Sequence, residues 1–442
     1  MTSPDDISLP KALIALTQKQ FRRFYIGSIA AQLGFWFSHI SYQALMADLT
    51  DDELWVSMLF VVTFTPVLFL GPFGGLLADR LDRKKLLLTT YAALMAVSGL
   101  QVILVLSDAI SPVILLVTSF IIGLIMAVLA PVVQAVTANT VKGEYLPSAI
   151  SLQAMASNAS RVLGPALAAP LVSNNLFEIS WSLYGICAGL ALVAAAGITL
   201  FPYQPDQDNV PIVQRLLAGV FHAREKKPAS SVLILVGVMS IFGVSHVVLS
   251  PAFTSDALGR PSSDFAWLGA STGFGALIGA LAAGSFTQQA TLRRGAILAI
   301  PYCLLLTGFS RVTDFTVAVL IQILVGFFYI ASFTTLQVVV QEVVTENFRG
   351  RVMSMFNIAW AGLVPIGSLL MGLLASDNGF GLGSADTIGL TSLICVGYVI
   401  SVVVWDTLKK RLTVAKRNVP VSYTHLRAHE TVLDLVCRLL LE

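Results

Sequence analysis

Gly75-Leu76-Leu77-Ala78-Asp79-Arg80-Leu81-Asp82-Arg83-Lys84-Lys85-Leu86-Leu87 lies between two long apolar stretches and governs how the rest of the chain is read. The glycine predicts a tight turn, one acid stands where the chain leaves an apolar run, and bases occupy Arg80, Arg83, Lys84 and Lys85. Charge this dense is expensive in hydrocarbon. The segment therefore reads as a short aqueous loop joining two apolar helices.

Composition agrees. Hydrophobic residues make up 56% and charged residues 12% of the 442, and the mean hydropathy is +0.81. A soluble domain carries roughly 25% charged residues. The apolar residues fall in runs of roughly 20, the length that crosses a hydrocarbon core as helix. Lipid offers the backbone no partners, so such spans must be helical. Twelve spans are read, at 24–47, 55–78, 86–106, 112–135, 148–171, 180–202, 231–252, 264–286, 295–310, 315–341, 352–375 and 386–405.

The bases orient these spans. The side of the Asp79 segment holds Lys11, Lys19, Arg22, Arg23, the cluster at 80–85, Lys142, Arg215, Arg224, Lys226, Lys227, Arg293, Arg294, Arg349, Arg351 and the bases of 409–417. The opposite loops hold only Arg260 and Arg311. This bias predicts both termini on the cytoplasmic side of the membrane. Residues 1–20 are polar with scattered charge and predict no cleavable signal peptide. Cys187, Cys303 and Cys395 lie inside spans without Cys-x-x-Cys spacing and read as small apolar residues, not as a metal site.

The polar segment 204–230 divides the spans six and six, which predicts an N-terminal half over 1–203 and a C-terminal half over 231–420. Weak repeats support a duplication. Ser38-His39 recurs at Ser245-His246, Asp48 at Asp256, and the Asp79 segment at 284–294 with Gln288 in place of the acid, at offsets of 207 to 209 residues. Residues 421–442 stand apart. From Val421-Ser422-Tyr423-Thr424-His425 onward they read as translated sequencing-library adapter, in frame on both sides of a short index, and are set aside as an artefact.

The segment around Asp79 resembles the loop between helices 2 and 3 of the major facilitator superfamily, G-x-L-a-D-r-x-G-r-k-x-x-l. It matches at Gly75, Leu77, Ala78, Asp79, Arg80, Arg83, Lys84 and Leu87, and departs at Asp82, where glycine is usual. The resemblance implies an all-α membrane protein of twelve helices in two pseudo-symmetric six-helix halves. It also implies a conformational latch made by Gly75, Asp79, Arg80 and Arg83 with Arg349 and Arg351. An acid near a helix N-terminus gains about 0.3–1 kcal/mol, and pairing with arginine adds a charge-assisted bond. The plainer reading of Arg83, Lys84 and Lys85 is that they only fix topology.

Arg161 is the basic residue that falls inside a span, and an intramembrane charge is a functional candidate by default. Asn158 and Gly164 lie one turn to either side on its face. Ser160 to Ala169, with Gly164-Pro165, resembles the helix-5 antiporter signature g-x-x-x-G-P-x-x-G-G, with small residues in place of three glycines. That implies exchange or export; the alternative is an arginine locked to a neighbouring helix. His39 and His246 could couple protons or simply pack. Few acids lie within spans, so no carboxylate stands out as proton carrier.

The stretches at 149–168 and 346–368, with Leu81-Asp82-Arg83, resemble the enterobactin-exporter and macrolide-efflux branch. The expected activity is export of a small amphipathic compound, of drug or siderophore type, by alternating access with proton antiport. A lipid flippase or importer on the same fold, and a non-transporting sensor or scaffold, stay open. No G-x-x-x-x-G-K-[ST] loop occurs, and no nucleophile–base pair suggests an enzyme. The expected partners are a small-molecule substrate, protons and lipid, without cofactor, metal or nucleic acid, for a chain acting as a monomer.

Overall fold

The computed structural model describes residues 11–50, 52–202, 227–287, 290–344, 352–353 and 355–417. The readings at Gln288, Arg349, Arg351 and 421–442 lie outside the described residues. The rest is helix and short connections. α1 (Lys19–Leu49), α2 (Glu53–Arg80), α3 (Arg83–Leu106), α4 (Pro112–Asn139), α5 (Leu146–Val172) and α6 (Phe177–Ala196) share one core, built around Trp181, Tyr184, Tyr91 and Phe24. α7 (Lys227–Phe242), α8 (Ser250–Asp256), α9 (Phe265–Thr287), α10 (Leu292–Phe309), α11 (Phe315–Val343), α12 (Val364–Ala375) and α13 (Gly383–Arg417) form the remainder. In their core, Cys303 and Cys395 meet as free thiols with sulfurs 3.3 Å apart.

Among the described residues, ten segments are long and apolar enough to cross a membrane, with α7 and α8 counted together as Pro228–Asp256. Two further helices are long but more polar: α1, of 31 residues, carries Gln32, His39 and Gln43, and α5, of 27 residues, carries Gln153, Asn158 and Arg161. They pack on each other, and α5 also packs on α9. The polar helices thus lie among the apolar ones, as a bilayer requires of groups it cannot solvate.

Side-chain caps set several helix starts. Asp52 accepts the Leu54 N–H at 2.9 Å and Asp82 accepts the Lys85 N–H at 2.9 Å, while Asp314 and Thr291 do the same for α11 and α10. This corrects the expected turn at Gly75. That residue is inside α2, which runs on to Arg80; the reversal is made by Leu81 and Asp82 alone. It also explains the missing glycine. Asp82 has φ −62°, which any residue adopts, and its carboxylate starts the next helix.

The same close crossing is used twice. A methyl group at Gly123 of α4 would overlap the Thr63 carbonyl of α2, and one at Gly326 of α11 would overlap the Thr272 carbonyl of α9. Gly123 and Gly326 stand 203 residues apart, near the repeat offset read from the sequence.

Among the described residues, several contacts between α1–α6 and the remaining helices lie at the end opposite the Asp79 loop or near mid-helix. α2 packs on α12 and α5 on α9. A methyl group at Gly372 would overlap Ser57, and one at Gly273 would stand 2.9 Å from the Val162 Cα. The Asn378 amide donates to Asp52 at 2.8 Å and the Ser262 hydroxyl donates to Asp48 at 2.6 Å. α2 separates Asp52 from the Asp79 loop by roughly 40 Å at 1.5 Å per residue. One end of the bundle is therefore sealed.

Candidate functional site

α5 runs unbroken through Pro165 and Pro170 and carries Arg161 past its midpoint. Proline has no N–H, so Pro165 cannot donate to the Arg161 carbonyl one turn back. Gly164 lets α5 lie against Trp36 of α1, whose ring a side chain there would overlap.

Arg161 reaches across to the other half. Its guanidinium carbon lies 4.1 Å from the centre of the Trp360 ring, a cation–π contact. Trp360 sits in a single π-helical turn, Ile358–Gly362, that leads into α12. Such turns are rare and concentrate at functional sites. The Trp360 indole N–H donates to the Tyr329 hydroxyl, and its carbonyl accepts from Ser240 of α7. Phe333 packs on Trp360 at 5.4 Å, Tyr329 stacks near Phe333 at 5.9 Å, and Tyr302 lies 5.6 Å from Tyr329. Together they make an aromatic cluster, of which the Trp360 ring faces Arg161.

Asn158, one turn from Arg161 toward the Asp79 end, is exposed. The two histidines join neither Arg161 nor each other. His39 stacks on Phe35 at 5.3 Å and meets Phe60 edge-on at 5.0 Å. It borders a small pocket with Ser38, Tyr42, Gln43, Thr63 and Ser119 that has about 10 Å³ of room, enough for one water. Trp36 stands between this pocket and Gly164, 5.9 Å from the His39 ring.

His246 is used differently. The seventh span breaks after Phe242, and His246 lies in the 3-10 segment Val244–Leu249 between α7 and α8. Its Nδ1–H donates to the Gly243 carbonyl at 2.6 Å, which also accepts the His246 backbone N–H at 3.3 Å, so the side chain reinforces the break. A side chain at Gly243 would crowd the Tyr302 hydroxyl at 2.9 Å.

At the Asp79 end, Arg83 ties three helix ends together. It donates to Asp79 at 3.1 Å, to the Ala78 carbonyl at 2.9 Å and to Asn139 at the end of α4. Lys84 donates to the Ile198 carbonyl at 2.8 Å. The Arg83 side chain is 9% exposed and that of Asp79 50%. The base braces the fold, and the acid is the more exposed member of the pair. Arg80 is exposed, and Gly75 meets nothing within 4 Å of an added Cβ.

Trp360, Tyr329 and Phe333 were not singled out by sequence reasoning. The run Phe327-Phe328-Tyr329 was the available signal, but aromatic residues in an apolar span read as lipid-facing or core.

The described residues form an all-helical bundle with the major facilitator fold, and the family and relatives it matches are transporters, not enzymes. The chain belongs to the transmembrane secretion effector family, which it matches over residues 11–427. It is 21% identical to the staphyloferrin A transporter of Staphylococcus aureus, over 84% of this chain and 93% of that one. It is 24% identical to macrolide efflux protein A of Streptococcus pyogenes, over 80% and 88%. Among solved structures it shares its fold with an inward-facing, unoccupied bacterial homologue of the human lysosomal transporter Spinster. That match is 14% identical with a TM-score of 0.66, over 94% of this chain and 100% of that one. A D-xylose–proton symporter is similar at 13% identity and a TM-score of 0.61, over 86% and 96%.

Proposed function

We propose that this multi-pass transporter exports a small amphipathic organic compound, of drug or siderophore type, by alternating access in exchange for protons. In this reading it has twelve spans in a bacterial inner membrane and works as a monomer with both termini in the cytoplasm. The observation that carries it is the contrast between the sealed end, held by Asp48–Ser262 and Asp52–Asn378, and the centre, where Arg161 meets Trp360. With the bases oriented to the cytoplasm, the sealed end is external and the carrier waits to load from inside. The names of the two relatives support both substrate types.

Asp79 then serves the opposite state. Half exposed and paired with Arg83, it latches the cytoplasmic end toward Arg349 and Arg351 when the external end opens. Gly75 leaves room for that approach, and Arg80 adds charge at the rim. His39, beside a pocket with room for one water, is the better placed histidine for proton entry. His246, bonded to a carbonyl, holds the helix break. Gly164 and Pro165 keep α5 close to α1 and position Arg161.

The test is flux in proteoliposomes under an imposed pH gradient, alongside drug-susceptibility and siderophore-secretion assays in a host lacking its own exporters. Asp79→Asn is expected to lower export at least several-fold while expression holds. Equal phenotypes would remove the latch, and flux that never responds to a pH gradient would remove proton exchange.

A further inference from the structure

We propose that Arg161 and Trp360 form the seat for a carboxylate-bearing substrate; the inference rests on the export reading above and names the substrate's charge. A cation near the middle of a bilayer is costly unless paired or wet. Among the described residues, no carboxylate pairs with the Arg161 guanidinium; it stacks on the face of Trp360 and interacts electrostatically with the Tyr329 hydroxyl, itself bonded to the Trp360 N–H. Stacking uses the face of the guanidinium and leaves its in-plane N–H groups available. Those N–H groups form a fork that matches the two oxygens of a carboxylate.

The surroundings narrow the ligand further. Arg161 is half-buried, and Asn158, one turn away on α5 toward the Asp79 end, is exposed. Trp360, Tyr329 and Phe333 offer an apolar wall next to the charge. The occupant is therefore a single carboxylate joined to a ring or other apolar body. A single guanidinium suits one negative charge; a phosphate dianion would leave charge unmatched.

The seat also gives a reason for transport to need cargo. While the site is open, water can solvate Arg161. Closing the Asp79 end would expel that water and strand the cation. A bound carboxylate removes the penalty, so the loaded carrier closes more readily than the empty one.

The probe is 2-naphthylacetate, compared with its methyl ester by calorimetric titration of the purified full chain, with protein-free micelles as reference. The expected result is roughly 10- to 100-fold tighter binding of the acid, the worth of hydrogen bonds to a charged partner. Arg161→Gln is expected to abolish that preference while leaving ester binding, and Arg161→Lys to keep part of it. The comparison of acid and ester on the unaltered protein needs no variant, so it stands if Arg161→Gln does not fold. Equal binding of acid and ester there would overturn the proposal. Tighter binding of lyso-phosphatidylglycerol than of 2-naphthylacetate, lost in Arg161→Gln, would overturn the carboxylate in favour of a lipid phosphate. Flux of 2-naphthylacetate in proteoliposomes separates the two readings. A binding preference without flux upholds the seat and removes export, and flux that does not distinguish the acid from the ester removes the seat.

Discussion

The two ends of the bundle are built from different chemistry. At the sealed end, carboxylates cross between halves to neutral donors: Asp52 to the Asn378 amide and Asp48 to the Ser262 hydroxyl. At the Asp79 end, cations bind carboxylates and carbonyls within residues 11–202: Arg83 to Asp79 and Asn139, Lys84 to Ile198, Arg23 to Gly197. A hydrogen bond contributes only about 0.5–1.5 kcal/mol net, and more when one partner is charged. A seal of a few such bonds over small-residue packing closes without becoming permanent. The braced end keeps the ends of its own helices in register.

The sharpest way to break that contrast is to make the seal covalent. Cysteines at Asp52 and Asn378, with native cysteines changed to alanine, are expected to cross-link under mild oxidation and abolish transport. Reduction is expected to restore it. Transport that survives complete cross-linking would show that this end need not open.

Acid should act on the same contact more gently. Burial opposes the Asp52 charge, but hydrogen bonds from the Asn378 amide, Ser376 and the Leu54 N–H outweigh it and hold the carboxyl below its ordinary value. A depressed pKa stabilises the bonded state above the ordinary aspartate range, near 3.9, and the benefit is lost as pH falls through the bound value. The population sealed at this end should therefore drop below about pH 4, read as a distance change between spin labels on α1 and α9. Asp52→Asn should remove most of that dependence.

The smallest effect belongs to the braced end. Asp82→Gly restores the residue usual in the superfamily. Glycine is nearly as good an N-cap as aspartate, so the expected loss is a few tenths of a kcal/mol. Thermal unfolding should barely move and transport should be unchanged. Loss of transport in this variant would give Asp82 a role beyond starting α3.

Much of this architecture was legible. Apolar runs located the helices because lipid allows the backbone no alternative, and the lone intramembrane base pointed to Arg161. The turn was misplaced because Gly75 signalled flexibility, while the helix kept its backbone bonds for another turn and Asp82 capped the next one. The break after Phe242 and the π turn at Ile358–Gly362 were not legible. The π turn is tied to another helix by the bond from Ser240 to Trp360, and the break is held by the local bond from His246 to Gly243 where Tyr302 of α10 comes close. The paired histidines looked equivalent by spacing and proved unlike, since only one of the two helices is continuous.

Sequence alone therefore determined what hydrophobicity and charge dictate one helix at a time: where the chain is apolar, where its bases gather, and which superfamily it resembles. Tertiary structure decided what needs two distant segments in one place. It set which end is sealed, which histidine caps a broken helix, and that Arg161 faces Trp360 nearly 200 residues away. Side-chain pairing across the halves is a property of packing, and no local pattern encodes it.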